Sequence, residues 1–262
     1  MIKVIAGACR HPTHRSLADF HQYWGERHGP LFARTPELRG YVQHHTLPAA
    51  YGGDPAPTHD GASMFWYADL DGLRQTTPSP NLAEAIQPQD GDLFEWYVHS
   101  ARYGDPARLT LRETVMADDR QLFDRSNEWP LHPKRTSVVA EERVVVDGPT
   151  TPTMVKAIFT AARLPGLSLQ EFSTHWFDVH GPLAAKVPGL RRYVQNHAPP
   201  EAYTLRGLTH DGFAEMWFDD LAALRGALQS PEWQALGEDG RTLFAQPMSV
   251  VVARERVIKA VA

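Results

Sequence analysis

A single cysteine, Cys9, stands in 262 residues. No internal disulfide is therefore available, and a reducing compartment is the expected setting. No apolar run approaches the ~18 residues of a membrane span. Positive charge is in short supply, with 26 Lys and Arg against 31 Asp and Glu. That leaves no basic footprint for nucleic acid or an anionic membrane. The opening MIKVIAGACR lacks the basic stretch, long apolar stretch and cleavage site of a secretion signal, so cytoplasmic residence is the default expectation. There is no glycine-rich dinucleotide fingerprint, no phosphate loop, no H-E-x-x-H and no cysteine pair. Nucleotide-dependent and zinc chemistries thus have no motif to rest on.

What the chain does have is histidine, 13 in all, and a duplication that places several of them at matched positions. SLADFHQYW (Ser16–Trp24) matches SLQEFSTHW (Ser168–Trp176), and His-Gly-Pro-Leu follows both four residues after the Trp. ELRGYVQHH (Glu37–His45) then matches GLRRYVQNH (Gly189–His197). Matched residues lie 152 positions apart, as Trp24 and Trp176 do. The offset slips by one at the His-Asp-Gly triplets that begin at His59 and His210. Two long copies are domains rather than solenoid units.

Each copy reads in one order. A β-rich run opens it. A helix follows, with Ser16 and Asp19, or Ser168 and Glu171, at N-cap and N3 spacing. Leu17, Phe20, Trp24 and His28 form the inward stripe, as do Leu169, Phe172, Trp176 and His180. Gly29-Pro30 and Gly181-Pro182 are expected to end these helices. Two strands, a second helix and a last strand complete the copy; TSVVAEERVVV (Thr136–Val146) matches MSVVVARERVI (Met248–Ile258). The β-α-β-β-α-β order predicts an α+β fold of two ferredoxin-like repeats packed sheet to sheet, each covering the other's bare face. Repeat 1 spans 1–146 with an insert at approximately 82–135, a Pro-rich linker occupies 147–152, and repeat 2 spans 153–262.

At W-x-x-x-H-G-P-L followed by L-R-x-Y-V-Q-x-H, the sequence resembles the EthD family of the dimeric α+β barrel superfamily. The resemblance covers the core of both repeats but not the insert. It implies a barrel that other members build by dimerising and that this chain makes as a fused pseudo-dimer. The superfamily includes cofactor-free oxygenases, cyclases, isomerases, dehydratases and haem-handling enzymes, so the resemblance does not choose a reaction.

The candidate chemistry lies in the repeated histidines. A core histidine closing a helix is the plain reading of His28 and His180. The strand that follows turns Tyr41, Gln43 and His45, or Tyr193, Gln195 and His197, onto one face. Buried polar groups there need partners, either in a ligand or across the seam between repeats. Imidazole is suited to proton transfer near neutral pH, and Tyr and Gln can hold an oxyanion. The catalytic set expected is His28, His180, Tyr41, Tyr193, His45 and His197. Trp24, Trp176, Gln43, Gln195, Tyr51, Tyr203, Trp66 and Trp217 form the expected substrate contacts. For the aromatic strand residues Trp66 and Trp217, ordinary core packing is the stronger reading taken alone.

The reaction expected is acid–base work on a hydrophobic, aromatic or polyketide-like molecule: elimination, isomerisation or cyclisation by a lyase- or isomerase-type enzyme without a bound cofactor. A cofactor-free oxidoreductase and a protein that only binds a hydrophobic metabolite are the alternatives. Haem on His45 or His180, or a metal shared by His28, His45 and His99, stays open. Nucleic acid and membrane are not expected partners, and a further pairing of two whole chains is left open.

Overall fold

A computed structural model describes residues 1–11, 16–54, 56–76, 115, 118, 122–123, 137–204 and 210–262. The expected insert at 82–135 lies outside the described residues except at Val115, Asp118, Leu122 and Phe123.

Repeat 1 contributes β1 (Ile2–Ala8), α1 (Leu17–Tyr23), a π-helical turn (Trp24–His28), α2 (Gly29–Phe32), β2 (Leu38–Thr46), β3 (Gly61–Tyr67), α3 (Leu70–Thr76) and β4 (Ser137–Val146). Repeat 2 contributes β5 (Val155–Ala161), α4 (Leu169–His175), a π-helical turn (Trp176–His180), α5 (Gly181–Ala184), β6 (Leu190–His197), β7 (Gly212–Phe218), α6 (Leu221–Leu228), α7 (Pro231–Gly240) and β8 (Val250–Lys259). The capping serines act as their spacing predicts. Ser16 accepts from the Asp19 amide, and Ser168 forms a complete capping box with Glu171.

The strands close a barrel in the order β1-β3-β2-β8-β5-β7-β6-β4. Each repeat supplies four neighbouring strands in ferredoxin-like order. The two sheets face each other and also join at both edges, because β8 pairs with β2 and β4 pairs with β6. Each last strand therefore completes the other repeat. Closure leaves no open edge, which explains why neither end of either sheet needs a guard.

Side chains alternate between two environments. One row points into the barrel, where Ile5, Met64, Val138, Ile158, Phe213 and Val251 join one cluster drawn from both repeats. The other row points at the helices, where Phe172, Trp176, Tyr193 and Phe244 pack in repeat 2 and Phe20, Trp24 and Leu122 in repeat 1.

One local expectation fails. The helices do not stop at Gly29-Pro30 or Gly181-Pro182; both glycines are right-handed helical, with φ of −55° and −56°, and the chain runs on into α2 and α5. The reason is the wider turn before each proline. The Gly29 amide donates to the Trp24 carbonyl, five residues back, so the helix is already out of its ordinary pattern where Pro30 lacks an N–H. Gln43, on β2, donates to that same Trp24 carbonyl at 2.9 Å, and Gln195 does so to Trp176 at 2.7 Å.

Two glycines give a contrast in stability. A methyl at Gly212, where β7 begins, would overlap the Asn196 carbonyl and lie 2.6 Å from the Trp176 indole, whereas one at Gly237 in α7 meets open space. Gly212→Ala is expected to destabilise by about 1–3 kcal/mol through overpacking. Gly237→Ala is expected to stabilise by about 0.5–1 kcal/mol through helix propensity. Denaturant melts of the two variants give both signs.

Candidate functional site

The π-helical turns carry the repeated Trp and His to the inside. His28 is 2% exposed and His180 is 7% exposed. Each imidazole meets a carboxylate. His28 Nδ1 lies 2.9 Å from Asp118 Oδ2, and His180 Nδ1 lies 2.7 Å from Asp239 Oδ2. A carboxylate accepts, so Nδ1 donates, and a neutral ring then carries its lone pair on Nε2. An aromatic edge guards each ring: Phe123 stands 5.4 Å from His28 and Phe244 stands 5.1 Å from His180, both near perpendicular.

The carboxylates are themselves oriented. Tyr23 donates to Asp118, and His175 Nε2 lies 2.8 Å from Asp239 Oδ1. Burial pushes both carboxyls up, but the hydrogen bonds from His28 and Tyr23, and from His175 and His180, outweigh it and hold them below the ordinary range. Burial lowers the His180 imidazole, against the pull of Asp239. His180 is thus held neutral beside an ionised partner.

Asp118 and Asp239 were not among the residues read from the sequence. A signal for them existed: Asp-x-Arg-x-Leu-Phe occurs at Asp118–Phe123 and again at Asp239–Phe244. The same motif supplies the guarding phenylalanines.

Tyr41, Gln43 and His45 come together with Trp24 in one network. Trp24 Nε1 donates to the Tyr41 hydroxyl at 3.2 Å, Gln43 Nε2 donates to that hydroxyl at 2.9 Å, and His45 Nε2 donates to Gln43 Oε1 at 2.9 Å. Trp176, Tyr193, Gln195 and His197 repeat it at 3.2, 3.1 and 2.9 Å. Ser173 donates to His197 Nδ1 at 2.9 Å, while in repeat 1 the His21 ring stacks on His45 at 4.4 Å. Gln43 and Gln195 each have both amide hydrogens engaged, one on the tyrosine and one on the tryptophan carbonyl. Burial, with His21 and Arg256 for His45 and Arg143 for His197, pushes both imidazoles down to about 3. Burial pushes the Tyr193 phenol up to about 12. These rings stay neutral across the physiological range.

Tyr51 and Tyr203 stand elsewhere. Tyr51 donates to Asp60 at 2.7 Å and Tyr203 donates to Asp211, the aspartates of the repeated His-Asp-Gly triplets. Each aspartate also accepts a backbone amide across the sheet end, Arg10 to Asp60 at 2.9 Å and Arg163 to Asp211 at 2.7 Å. The triplet is a clamp as well as a turn.

Trp66 and Trp217 lie on the opposite face of the sheet from the Tyr-Gln-His row, inside the barrel. Lys3 Nζ sits 4.9 Å from the Trp66 ring and Lys156 Nζ sits 4.0 Å from the Trp217 ring. The sheet separates them from His28 and His180.

Among the described residues no group of three or more His, Cys, Asp or Glu side chains is placed to hold a metal. His99 lies outside the described residues. His45 and His180, the expected haem ligands, direct Nε2 at Gln43 and Nδ1 at Asp239. No helix among the described residues is long and apolar enough to cross a membrane.

The family model described as EthD domain matches residues 13–95 and again 164–247, together more than half of the chain. Among solved structures, an EthD family protein from Bacillus halodurans C-125 is 28% identical over 39% of this chain and 99% of its own, with a TM-score of 0.33. An anthrone oxidase-like protein is 12% identical over 100% of this chain and 94% of its own, with a TM-score of 0.53, a likeness of fold. A dimeric ferredoxin-like protein of unknown function from Thermobifida fusca YX is 14% identical over 44% of this chain and 98% of its own, with a TM-score of 0.31. No curated protein matches the sequence.

Proposed function

Since this chain belongs to the EthD family twice over, with both domains in one polypeptide, we propose that it is a small-molecule enzyme whose general base is the imidazole of His28 or His180. The observation that carries this reading is the repeated imidazole–carboxylate pair, His28 with Asp118 and His180 with Asp239. The carboxylate fixes the tautomer, leaves Nε2 as the proton acceptor and stabilises the imidazolium that forms.

The substrate is a hydrophobic molecule bearing an acidic proton, on a carbon beside a carbonyl or on a phenol. The proton goes to Nε2, and the resulting carbanion or phenolate undergoes elimination, isomerisation or cyclisation without a bound cofactor. With dioxygen as co-substrate the same phenolate leads to oxygenation, the oxidoreductase alternative. Tyr41, Gln43 and His45, with their counterparts, hydrogen-bond one another and hold the π-helical turns in place; in this reading they are positioning residues. Their hydrogen bonds would have to break before they could hold an oxyanion.

A second reading, a protein that only binds a hydrophobic metabolite, is favoured by the near-complete burial of His28 against Phe32 and Phe123. One experiment separates the two. The molecule that co-purifies is identified by mass spectrometry and returned to the protein in deuterated water. A base exchanges an acidic carbon-bound proton for deuterium, or, where the molecule is a phenol, gives the bound molecule the absorbance of its phenolate; either signal is expected to fall in His28→Ala/His180→Ala, the exchange rate by about 10²–10⁴-fold. Retention of the molecule with neither signal in the unaltered protein points to binding alone.

A further inference from the structure

We propose that repeat 1 is the half-site that takes substrate, and that it takes an apolar organic anion, one bearing a carboxylate, held by Arg256 from the last strand of repeat 2. This rests on the reading above for where the site lies, and adds which half and what charge.

Beyond Ala253, β8 runs along β2, with Arg254 opposite His45 and Arg256 opposite Gln43. Cross-strand neighbours share a sheet face, so both arginines flank the Tyr41–Gln43–His45 row. Arg256 lies over Gly25 in the π-helical turn. A methyl there would overlap the guanidinium, so the bare glycine makes its seat. Arg27 follows in the same turn, and its charge bears on Asp118.

The arginines at this rim differ from others in the molecule. Arg10, Arg163, Arg191 and Arg192 are each paired with an aspartate. Among the described residues neither Arg254 nor Arg256 has a carboxylate partner. Both are exposed, and a guanidinium can offer an incoming carboxylate two parallel hydrogen bonds.

Repeat 2 has a different rim at the matched positions. β4 crosses to β6 as β8 crosses to β2, placing Glu141 opposite His197 and Arg143 opposite Gln195. Glu141 therefore stands where repeat 1 has Arg254. Phe177 stands where repeat 1 has Gly25, and Arg143 rests on its ring at 5.8 Å. Val179 stands where repeat 1 has Arg27. Three arginines at one rim face an arginine and a glutamate at the other. An anion is drawn to the first and not to the second.

The test titrates the full chain with two fluorescent probes of one aromatic scaffold, 8-anilinonaphthalene-1-sulfonate, which is an anion, and N-phenyl-1-naphthylamine, which is neutral. The anionic probe is expected to bind saturably, and Arg256→Gln is expected to weaken it at least about tenfold, the effect of losing a charge-assisted hydrogen bond. The neutral probe is expected to bind Arg256→Gln as it binds the unaltered protein, and Arg143→Gln to bind both probes unchanged. Arg256→Lys, which keeps the charge, is expected to retain most of the affinity and serves if Arg256→Gln does not fold. No saturable binding of the anionic probe, an equal loss in Arg143→Gln, or a matching loss of the neutral probe in Arg256→Gln overturns the proposal. Deuterium exchange reads proton transfer and this titration reads anion capture, so either can fail alone.

Discussion

Replacing Glu215 by methionine is expected to cost about 3–5 kcal/mol, the penalty for stranding buried charges whose partner is removed. Glu215 is 0% exposed inside the barrel and bridges two lysines, Lys3 from β1 and Lys156 from β5. Both lysine side chains are 3% exposed. Lys3 reaches Glu142 at 2.6 Å and Lys156 reaches Glu255 at 2.5 Å, but those side chains are 43% and 24% exposed, nearer water and weaker as partners. Asn196 Nδ2 donates to Glu215 at 2.9 Å and His44 lies 3.0 Å from Lys156, so the cluster ties strands of both repeats together. Methionine is the natural substitute because Met64 occupies the matched position of repeat 1.

The triple change Lys3→Met/Lys156→Met/Glu215→Met removes charges together and is expected to recover most of the loss. If Glu215→Met alone melts within a degree or two of the unaltered protein, the cluster is not what joins the repeats. Acid gives a second readout. Burial pushes the Glu215 carboxyl up, but Lys156 and Lys3 outweigh it and hold it at about 2 against an ordinary 4.5. The folded value lies below the unfolded one, so the stabilisation is complete above about 4.5 and is lost as pH falls toward 2. On that shift it amounts to about 3 kcal/mol. Glu215→Gln is expected to flatten the acid limb of the stability profile across that window.

Asp118→Asn is expected to lower turnover about 10³–10⁴-fold while leaving the fold intact, the cost of holding a catalytic imidazole in the wrong tautomer. Asparagine keeps the shape and loses the charge. Its amide can turn a hydrogen toward Nδ1, which then accepts, and the ring proton moves to Nε2. The base is lost although every heavy atom stays in place. Asp239→Asn makes the same change in repeat 2 and is expected to have little effect, the outcome that the proposed capture of substrate in repeat 1 requires. Nitrogen-15 chemical shifts of the His28 ring report the tautomer independently of activity. A tautomer that switches without loss of turnover would detach His28 from the chemistry. A large loss in Asp239→Asn with none in Asp118→Asn would place the reaction in the other half.

Much of the fold was legible because its signals are local and written twice. Strand alternation, capping serines and the order of elements recur in both copies, and the two serines cap as their spacing indicates. The stop expected at His-Gly-Pro was misread for a physical reason. Local rules treat the proline as a terminator, but the turn before it is widened and the Gln43 side chain, 19 residues on, supports the Trp24 carbonyl. The site was half legible. His28, Tyr41, Gln43 and His45 announce themselves by repetition. Asp118 lies 90 residues from His28, while Asp239 lies 59 from His180, so no shared offset links acid to base. The buried lysines were hidden in plain alternation with Ile5 and Ile158, and their common partner belongs to only one repeat.

The exchange of last strands also bears on how the chain is made. Among the described residues the outer edge of β2 is paired by β8, from Val257 opposite Val42 to Ala253 opposite Thr46. During translation that edge waits, uncovered, while some two hundred further residues leave the ribosome. Such distant pairing slows folding, and an uncovered strand invites foreign ones. Newly synthesised chains truncated before residue 250 should therefore be the form that chaperones hold and that aggregates gather.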